Sequence, residues 1–314
     1  MIHTLIRSGY SQWRRWCDSA KWFWNRLGAR LATFTEQEFE LEHLTLRARV
    51  WGQGRAHKVI ALHGWLDNSA SFNWLAPLLD AHVVALDTAG HGLSDYRNVL
   101  APYNIWEDAA EIFAVADQLG WEQFTLVGHS RGAMVSMIMA GSWPERITDL
   151  VLLDGMFPEF TPEEKAPEQL QKSIRSLLSP HRKRATVYQT WDAAIAARMN
   201  SMWAVERSTS EALAERGVKA VEGGYIWQAD PKLQLPSAVK LTKGFVQAYL
   251  RGIEANTLLI VAEEGIAKQF ENSREQLEFF PKIDVKTLPG KHHFHMEGQA
   301  PAIAELINAQ LSGG

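Results

Sequence analysis

The chain of 314 residues is long enough for one large core with an inserted module, and 46% hydrophobic and 22% charged residues are typical of a globular protein. A formal net charge of -4 does not point to a nucleic-acid partner, and we expect none. The single cysteine, Cys17, excludes an internal disulfide framework. Because no run is long and apolar enough for a transmembrane helix and no signal peptide is apparent, the sequence predicts a cytoplasmic protein.

Residues 1–36 are predicted to form an N-terminal amphipathic helical extension. Large apolar side chains recur at intervals of three and four residues and share one helical face: Trp13, Trp16, Ala20, Phe23, Leu27, Leu31 and Phe34. Up to Arg30 the segment carries six basic residues and one acidic residue, Asp18. We favour packing of the apolar face on the protein body or on a second copy of the chain, since core packing is the commoner cause of such periodicity. Peripheral membrane contact is the alternative.

Alternating strand-like and helix-like segments predict a mostly parallel central sheet flanked by helices over residues 37–156 and 246–314. The predicted strands are an edge segment at residues 39–51 and short apolar runs suited to a sheet buried on both faces at residues 58–62, 83–86, 124–127 and 150–153. Two later sheet-like runs are predicted at residues 257–261 and 285–288. Helices are expected at residues 71–79, 104–119, 133–140 and 301–311. Residues 157–245 interrupt the alternation, and we predict that they form a helical cap inserted in this α/β core.

The pentapeptide Gly128-His129-Ser130-Arg131-Gly132 is the strongest chemical signal in the sequence. It directly follows the predicted strand 124–127 and precedes a predicted helix, which is the context of a G-x-S-x-G nucleophile elbow. Side chains at the two glycine positions would collide with neighbouring backbone in so tight a turn. We therefore predict that Ser130 is a nucleophile, close to a helix N-terminus whose dipole favours developing negative charge.

A serine hydroxyl needs a general base, and the histidine-rich loop Gly290-Lys291-His292-His293-Phe294-His295 follows the last predicted strand. His292 is the preferred base because it stands two residues after the glycine and just ahead of the final helix. His293 and His295 are expected to pack in the loop or to face solvent. No metal is expected here, since the carboxylate partners of a zinc site do not follow at a matching spacing.

Two further kinds of catalytic group are needed, an acid and an oxyanion hole. Asp154, at the end of the predicted strand 150–153, is the preferred acid, ahead of Glu264 and Glu263, which follow the strand 257–261. The expected oxyanion donors are the backbone N–H groups of Arg131, directly after the nucleophile, and of Trp65, in the loop after an early strand.

The motifs of the chain resemble those of the α/β-hydrolase superfamily over nearly the whole length after residue 36. They comprise Leu62-His63-Gly64-Trp65-Leu66-Asp67-Asn68, then Asp87 with Gly90-His91-Gly92-Leu93-Ser94, then the Ser130 turn and the histidine loop. Within the superfamily the chain is similar to the serine hydrolase-like family and its bacterial relatives, through features such as Gly223-Gly224-Tyr225 with Trp227. The resemblance implies an α/β-hydrolase fold, with an acid at the Asp154 position and none in the later loop, where many relatives carry Asp and this chain has Gly265.

The expected reaction is acyl transfer to water from a small, apolar ester or related acyl compound, as in a carboxylesterase or lipase, with no metal or organic cofactor. We expect the substrate to contact Trp65, Met156 and Phe157 beneath a lid formed by the insert. A carbon–carbon bond hydrolase or a thioesterase of the same fold is the first alternative. A non-catalytic binding protein of this fold is the alternative from another class.

Overall fold

A sheet of eight strands forms the centre of the protein in our computed structural model, which describes residues 33–98, 100, 102–158, 160–179, 185–267 and 273–313. The predicted N-terminal extension lies outside the described residues up to position 32, and the first strand begins at Thr35. Thr35–Gly314 form one unit. Within the described part of the chain, no helix has the length and apolarity needed to cross a bilayer.

The strands follow one another in the chain as β1 Thr35–Glu40, β2 Thr45–Trp51, β3 His57–Leu62, β4 Ala81–Asp87, β5 Phe124–His129, β6 Ile147–Leu153, β7 Val218–Val221, β8 Gly224–Trp227, β9 Asn256–Glu264 and β10 Ile283–Lys291. In the large sheet their spatial order is β1-β2-β4-β3-β5-β6-β9-β10. β1 pairs with β2, and β2 with β4, in antiparallel fashion, while the other neighbours are parallel. The predicted mostly parallel central sheet is confirmed.

Both faces of the sheet are buried, because the inner strands carry apolar side chains at successive positions. In β3, for example, Ile60 and Leu62 pack in one core, whereas Val59 and Ala61 pack in the other. Successive side chains of a strand point to opposite faces, so a sheet that is covered on both sides needs continuous apolar runs. The apolar runs in the sequence therefore form the inner strands and also supply side chains to both cores.

Helices cover the two faces, and their bounds are α1 Ile105–Gln118, α2 Arg131–Ser142, α3 Ala166–Leu178, α4 Trp191–Met199, α5 Arg207–Gly217, α6 Lys243–Arg251, α7 Ser273–Leu277 and α8 Ala300–Ser312. Side chains of α1, α2 and α6 belong to the first core, and those of α8 to the second. Instead of the helix predicted at residues 71–79, the chain forms two short 3-10 turns, Ser69–Phe72 and Ala76–Leu78. Pro77 lacks the N–H group that a continuous helix would need at that point.

The chain between β6 and β9 contains α3 to α6 together with a hairpin of β7 and β8. The hairpin is an addition to the helical cap that the sequence predicts for residues 157–245. Gly223 and Gly224 lie at its turn with φ of +84° and +145°, in the region that favours glycine. Two ion pairs join this insert to the core: the half-buried Arg198 of α4 with the buried Asp67 at 2.8 Å, and the buried Arg216 of α5 with the buried Asp87 at 2.7 Å.

Candidate active site

Ser130 stands alone on a sharp turn between β5 and α2. Its φ of 52° and ψ of -113° are unusual for a residue with a side chain, and such a conformation persists only where the surroundings enforce it. The surroundings here are backbone: a Cβ at Gly128 would lie 2.5 Å from the Gly132 carbonyl oxygen, and one at Gly132 would lie 2.1 Å from that of Leu62. The two glycines of the motif therefore let α2 start directly against the end of β3, with Ser130 at the apex.

His292, directly after β10, lies against Ser130. The Ser130 hydroxyl donates to His292 Nε2 at 2.9 Å, and His292 Nδ1–H donates to Asp154 Oδ2 at 2.7 Å. The carboxylate selects the tautomer that leaves Nε2 free to accept a proton. All three residues are buried, and only Ser130 and His292 have any exposed surface. This arrangement lets the imidazole take the proton of the hydroxyl while the carboxylate stabilises the resulting charge.

Asp154 follows β6, and its backbone has a φ of +42°. Its carboxylate accepts from the backbone N–H groups of Ile266 at 2.8 Å and Ala262 at 3.2 Å. A Cβ at Gly265 would lie 2.2 to 2.4 Å from that carboxylate, so the glycine leaves the space that Asp154 fills. Glu263 and Glu264, the other candidate acids, are exposed at the end of β9. Of the three candidates, Asp154 is the one that contacts His292.

The two candidate oxyanion donors come from neighbouring turns. Arg131 is the first residue of α2, where the backbone N–H groups have no acceptor within the helix. Its side chain points elsewhere, since Nη1 lies 2.6 Å from Asp108 Oδ2. Trp65 lies in the loop after β3, and its indole N–H donates to the Leu233 carbonyl in the insert at 3.0 Å. The insert thus contacts the loop that carries this donor.

A cavity of about 250 Å³ lies next to the Ser130 turn: its lining includes Arg131, which directly follows Ser130, together with Trp65 and Phe157, whereas Ser130 and His292 do not themselves line it. Phe157 is fixed by Gln276, whose side-chain amide bonds both the N–H and the carbonyl of Phe157, at 3.1 and 2.8 Å. Met156, also expected to contact substrate, is buried in the first core and does not line this cavity. Apolar side chains form most of the remaining wall: Ile105, Trp106, Met134, Pro158, Leu233, Leu235, Val239, Leu241 and Val246.

A cluster of three polar side chains lies next to the loops of His292 and Trp65, and its role was not predicted from the sequence. Asp67 Oδ1 accepts from Arg198 Nη2 at 2.8 Å, and Asp67 Oδ2 accepts from His293 Nε2 at 3.1 Å. We call these three residues the Asp67 junction. Burial by itself raises the pKa of Asp67, but His293 and Arg198 overcome this effect and hold the pKa well below its usual value. Asp67 was visible as part of the quoted Leu62–Asn68 motif, whereas no motif signalled Arg198.

Burial disfavours the charged form of the histidines around the junction. Burial lowers the pKa of His293, and it lowers those of His129 and His295 well below the usual value. Asp67, His129 and His293 bring three potential metal-ligand atoms within 4.8 Å of one another. The Arg198 guanidinium, however, already contacts two of these three residues: Asp67, through Oδ1 at 2.8 Å, and His293, through Nε2 at 3.3 Å. A resident cation here would face a fixed positive charge, so the donor set fits a metal poorly.

A family model described as the alpha/beta hydrolase fold matches residues 58–299. The chain belongs to the α/β-hydrolase fold family. This α/β hydrolase is 41% identical to a hypothetical protein of Pseudomonas aeruginosa PAO1, whose crystal structure matches with a TM-score of 0.85 over 88% of this chain and 99% of that one. The sheet order, the strand-to-helix serine turn and the histidine after the last strand are thus features of a known fold family.

Two further similarities bear on function. The α/β hydrolase is 28% identical to a serine hydrolase-like protein of Danio rerio, over 84% of this chain and 86% of that protein. It is 25% identical to a thioesterase domain from the curacin biosynthetic pathway, with a TM-score of 0.77 over 88% of this chain and 99% of that domain. The resemblance seen in the motifs is confirmed, and the protein is a hydrolase of the α/β fold.

Proposed function

We propose that this α/β hydrolase is a serine hydrolase that cleaves a carboxylic ester of a small, largely apolar compound. Ser130 is the nucleophile, His292 the general base, and Asp154 the acid that orients the base. The observation that carries the proposal is the unbroken hydrogen-bonded path from Ser130 through His292 to Asp154, with distances of 2.9 and 2.7 Å.

The proposed reaction has two halves. His292 Nε2 takes the Ser130 proton as Oγ attacks the ester carbonyl, and the imidazolium then gives that proton to the departing alkoxide. Water attacks the resulting acyl-enzyme with His292 again as the base, which releases the acid and restores the Ser130 hydroxyl. Asp154 stays ionised throughout and stabilises the imidazolium formed in each half.

The negative oxygen of each tetrahedral intermediate is stabilised by the backbone N–H groups of Arg131 and Trp65. One such donor is typically worth about 10²–10³ in turnover, and the N-terminal end of α2 adds a favourable dipole. The Arg131 guanidinium is held by Asp108 at 2.6 Å. Arg131 therefore serves this reaction through its backbone.

The cavity beside Ser130 supports a small acyl group. Its volume of about 250 Å³ lies just below the range of about 300–1,000 Å³ that is usual for ligand pockets. Its wall is mostly apolar, and burial of apolar surface is the main source of binding energy for such a ligand. We expect short and medium acyl chains to be preferred over long ones.

Hydrolysis of a thioester is the second candidate function. The similarity to a thioesterase domain, at 25% identity over 88% of this chain, favours it specifically. The same serine, histidine and acid would carry that reaction, with a thiolate as the leaving group in place of an alkoxide. The bond that is cleaved therefore decides between the two candidates.

The test is a panel of p-nitrophenyl esters of increasing acyl length, with the matching acyl thioesters, on the wild type and on Ser130→Ala. Loss of a triad nucleophile typically removes about 10⁶ of turnover, so Ser130→Ala should fall to background on every substrate that the wild type hydrolyses. A higher kcat/KM for thioesters than for esters of equal chain length would favour the second candidate. A wild type inert on both series and towards a fluorophosphonate would replace both candidates with a non-catalytic binding protein.

A further inference from the structure

We propose that the Asp67 junction positions the catalytic groups: Asp67 holds the loop of His292 and the oxyanion loop of Trp65 together, and Arg198 couples both loops to the insert. This inference rests on the proposed serine-hydrolase function. We assign Asp67, His293 and Arg198 a positioning role because they bond to one another across the loops that carry the catalytic groups and do not line the cavity that we propose for the acyl group.

The sequence neighbours of the junction are the groups that matter for the reaction. Asp67 is two residues after Trp65, in a tight turn closed by the Asp67 N–H donating to the Gly64 carbonyl at 3.2 Å. His293 directly follows His292. The 3.1 Å bond between Asp67 and His293 therefore fixes the distance between the loop of the oxyanion donor and the loop of the base.

His129 supports the same arrangement from β5. Its Nε2–H donates to the backbone carbonyl of His292 at 2.9 Å, and its ring lies 4.5 Å from the His292 ring, centroid to centroid. The base is thus held on one side through its own backbone and on the other through His293. Both supports are buried, where a hydrogen bond is electrostatically stronger than it is in water.

The junction also sets the charge around His292. The titratable and charged groups that interact with Asp67 are His293 and His295 from the loop after β10, His129 from β5, His63 and His91 from the loops after β3 and β4, and Arg198 from α4. Burial lowers the pKa values of all five histidines, and Arg198 forms an ion pair with Asp67 at 2.8 Å. Without Asp67, the guanidinium at 3.3 Å from His293 would lose its counter-ion and would disfavour a positive charge on the adjacent His292.

The Asp67 junction does more than attach the insert to the core, because a second ion pair already attaches it. Arg216 of α5 bonds Asp87 at 2.7 Å, and both side chains are buried as deeply as those of the junction. The other bonds of Asp87 go to the backbone N–H groups of Ser69 and Leu93, at 2.7 and 2.8 Å. These residues are not adjacent to the base or to the oxyanion donors, so Arg216 offers a matched control.

The experiment compares Asp67→Asn, Asp67→Asn/Arg198→Met, His293→Ala and His293→Gln with the control Arg216→Met, on the best ester found for the wild type. It measures kcat, KM and the pH dependence of kcat/KM for each variant. Misplacement of a catalytic group by about 1 Å can reduce turnover about 10²-fold, so we expect Asp67→Asn and His293→Ala to lose about 10- to 100-fold in kcat. KM should change little, because the junction does not line the cavity.

Charge and geometry give separate signatures. In Asp67→Asn the kinetic pKa of the base should fall, and removal of the guanidinium in Asp67→Asn/Arg198→Met should bring it back while kcat stays low. His293→Gln should recover much of the kcat lost in His293→Ala, since an amide N–H can still donate to Asp67. Arg216→Met should lose stability but keep the kcat and the pH profile of the wild type.

The inference is overturned if Asp67→Asn and His293→Ala keep the kcat of the wild type, or if Arg216→Met lowers kcat by the same factor as they do. Should Asp67→Asn fail to fold, the pair His293→Ala and His293→Gln decides alone: equal kcat in the two variants overturns the inference. A wild type without activity on any ester or thioester refutes the proposed function instead, so the two failures can be told apart.

Discussion

Gly265 offers a sharp test of how the acid is held. In Gly265→Ala the added Cβ would lie 2.2 Å from Asp154 Oδ1 and 2.3 Å from Oδ2. The carboxylate has no slack, because Oδ2 already bonds both His292 Nδ1 at 2.7 Å and the Ile266 N–H at 2.8 Å. Contacts below 3 Å do not persist, so the carboxylate or the loop must move and the bond to His292 must weaken.

The magnitude follows from what is displaced. Overpacking of a tight site typically destabilises a protein by about 1–3 kcal/mol, and we expect a loss of stability in that range. Disabling the acid of a serine–histidine–acid triad reduces kcat by about 10⁴ in a well-studied protease, and this sets the upper limit for Gly265→Ala. A methyl group that pushes the carboxylate away without removing it should give a smaller loss, about 10²-fold or more.

The assay is ester hydrolysis together with denaturant unfolding, for three variants. Gly244→Ala is the matched control, because its Cβ would meet only Thr242 Oγ1 at 3.9 Å. Asp154→Gly/Gly265→Asp exchanges the two residues: position 154 has the positive φ that glycine tolerates, so the exchanged carboxylate can reach His292 from the other loop. We expect this variant to be more active than Gly265→Ala. Wild-type kcat in Gly265→Ala would refute the reasoning.

Three further outcomes are expected. Arg131→Met should lower the free energy of unfolding by up to about 3 kcal/mol, because it removes a buried partner of Asp108. The kcat of this variant should equal that of the wild type, since the oxyanion donor is the backbone N–H. A raised KM with unchanged stability would show instead that the guanidinium binds substrate. Val239→Trp, at the exposed rim of the cavity, should shift kcat/KM towards shorter acyl chains, and an unchanged profile across the ester panel would place the acyl group elsewhere. Burial lowers the pKa values of three histidines well below 6.5: His91, His129 and His295. Each of them takes up a proton on unfolding below about pH 6.5. The unfolding free energy measured in denaturant should therefore decrease as the pH falls below about 6.5, by up to about 1.4 kcal/mol per pH unit for each histidine. A stability that is constant or higher at pH values below 6.5 would contradict the third expectation.

Local sequence rules were sufficient where the chemistry is local. The G-x-S-x-G motif needs its glycines because the backbone of Gly132 and Leu62 fills the space of a side chain, and that is a property of the turn itself. The inner parallel strands are continuous apolar runs because both of their faces are buried, whereas the parallel edge strand β10 is largely exposed. Asp154 was preferred over Glu264 from the resemblance, and the structure adds the steric reason, which is the space left by Gly265.

Features that depend on distant parts of the chain escaped sequence reasoning. Arg198 and Asp67 are 131 residues apart in the chain, and neither spacing nor periodicity relates them. The hairpin of β7 and β8 consists of strands of only four residues each, too short for a period-2 pattern to stand out. The apolar character of Met156 and Phe157 predicts that both contact substrate, but of the two only Phe157 lines the cavity, while Met156 packs in the first core.

Labelling with a fluorophosphonate, followed by peptide mass mapping, tests whether Ser130 is an activated nucleophile. We expect one phosphonyl group per chain, on the peptide that contains Ser130, no label on Ser130→Ala, and much slower labelling of Asp154→Asn, because the base then loses its orienting carboxylate. Stoichiometric label on another residue, or a wild type that stays unlabelled while it hydrolyses esters, would contradict the assignment of Ser130, His292 and Asp154 as the catalytic group.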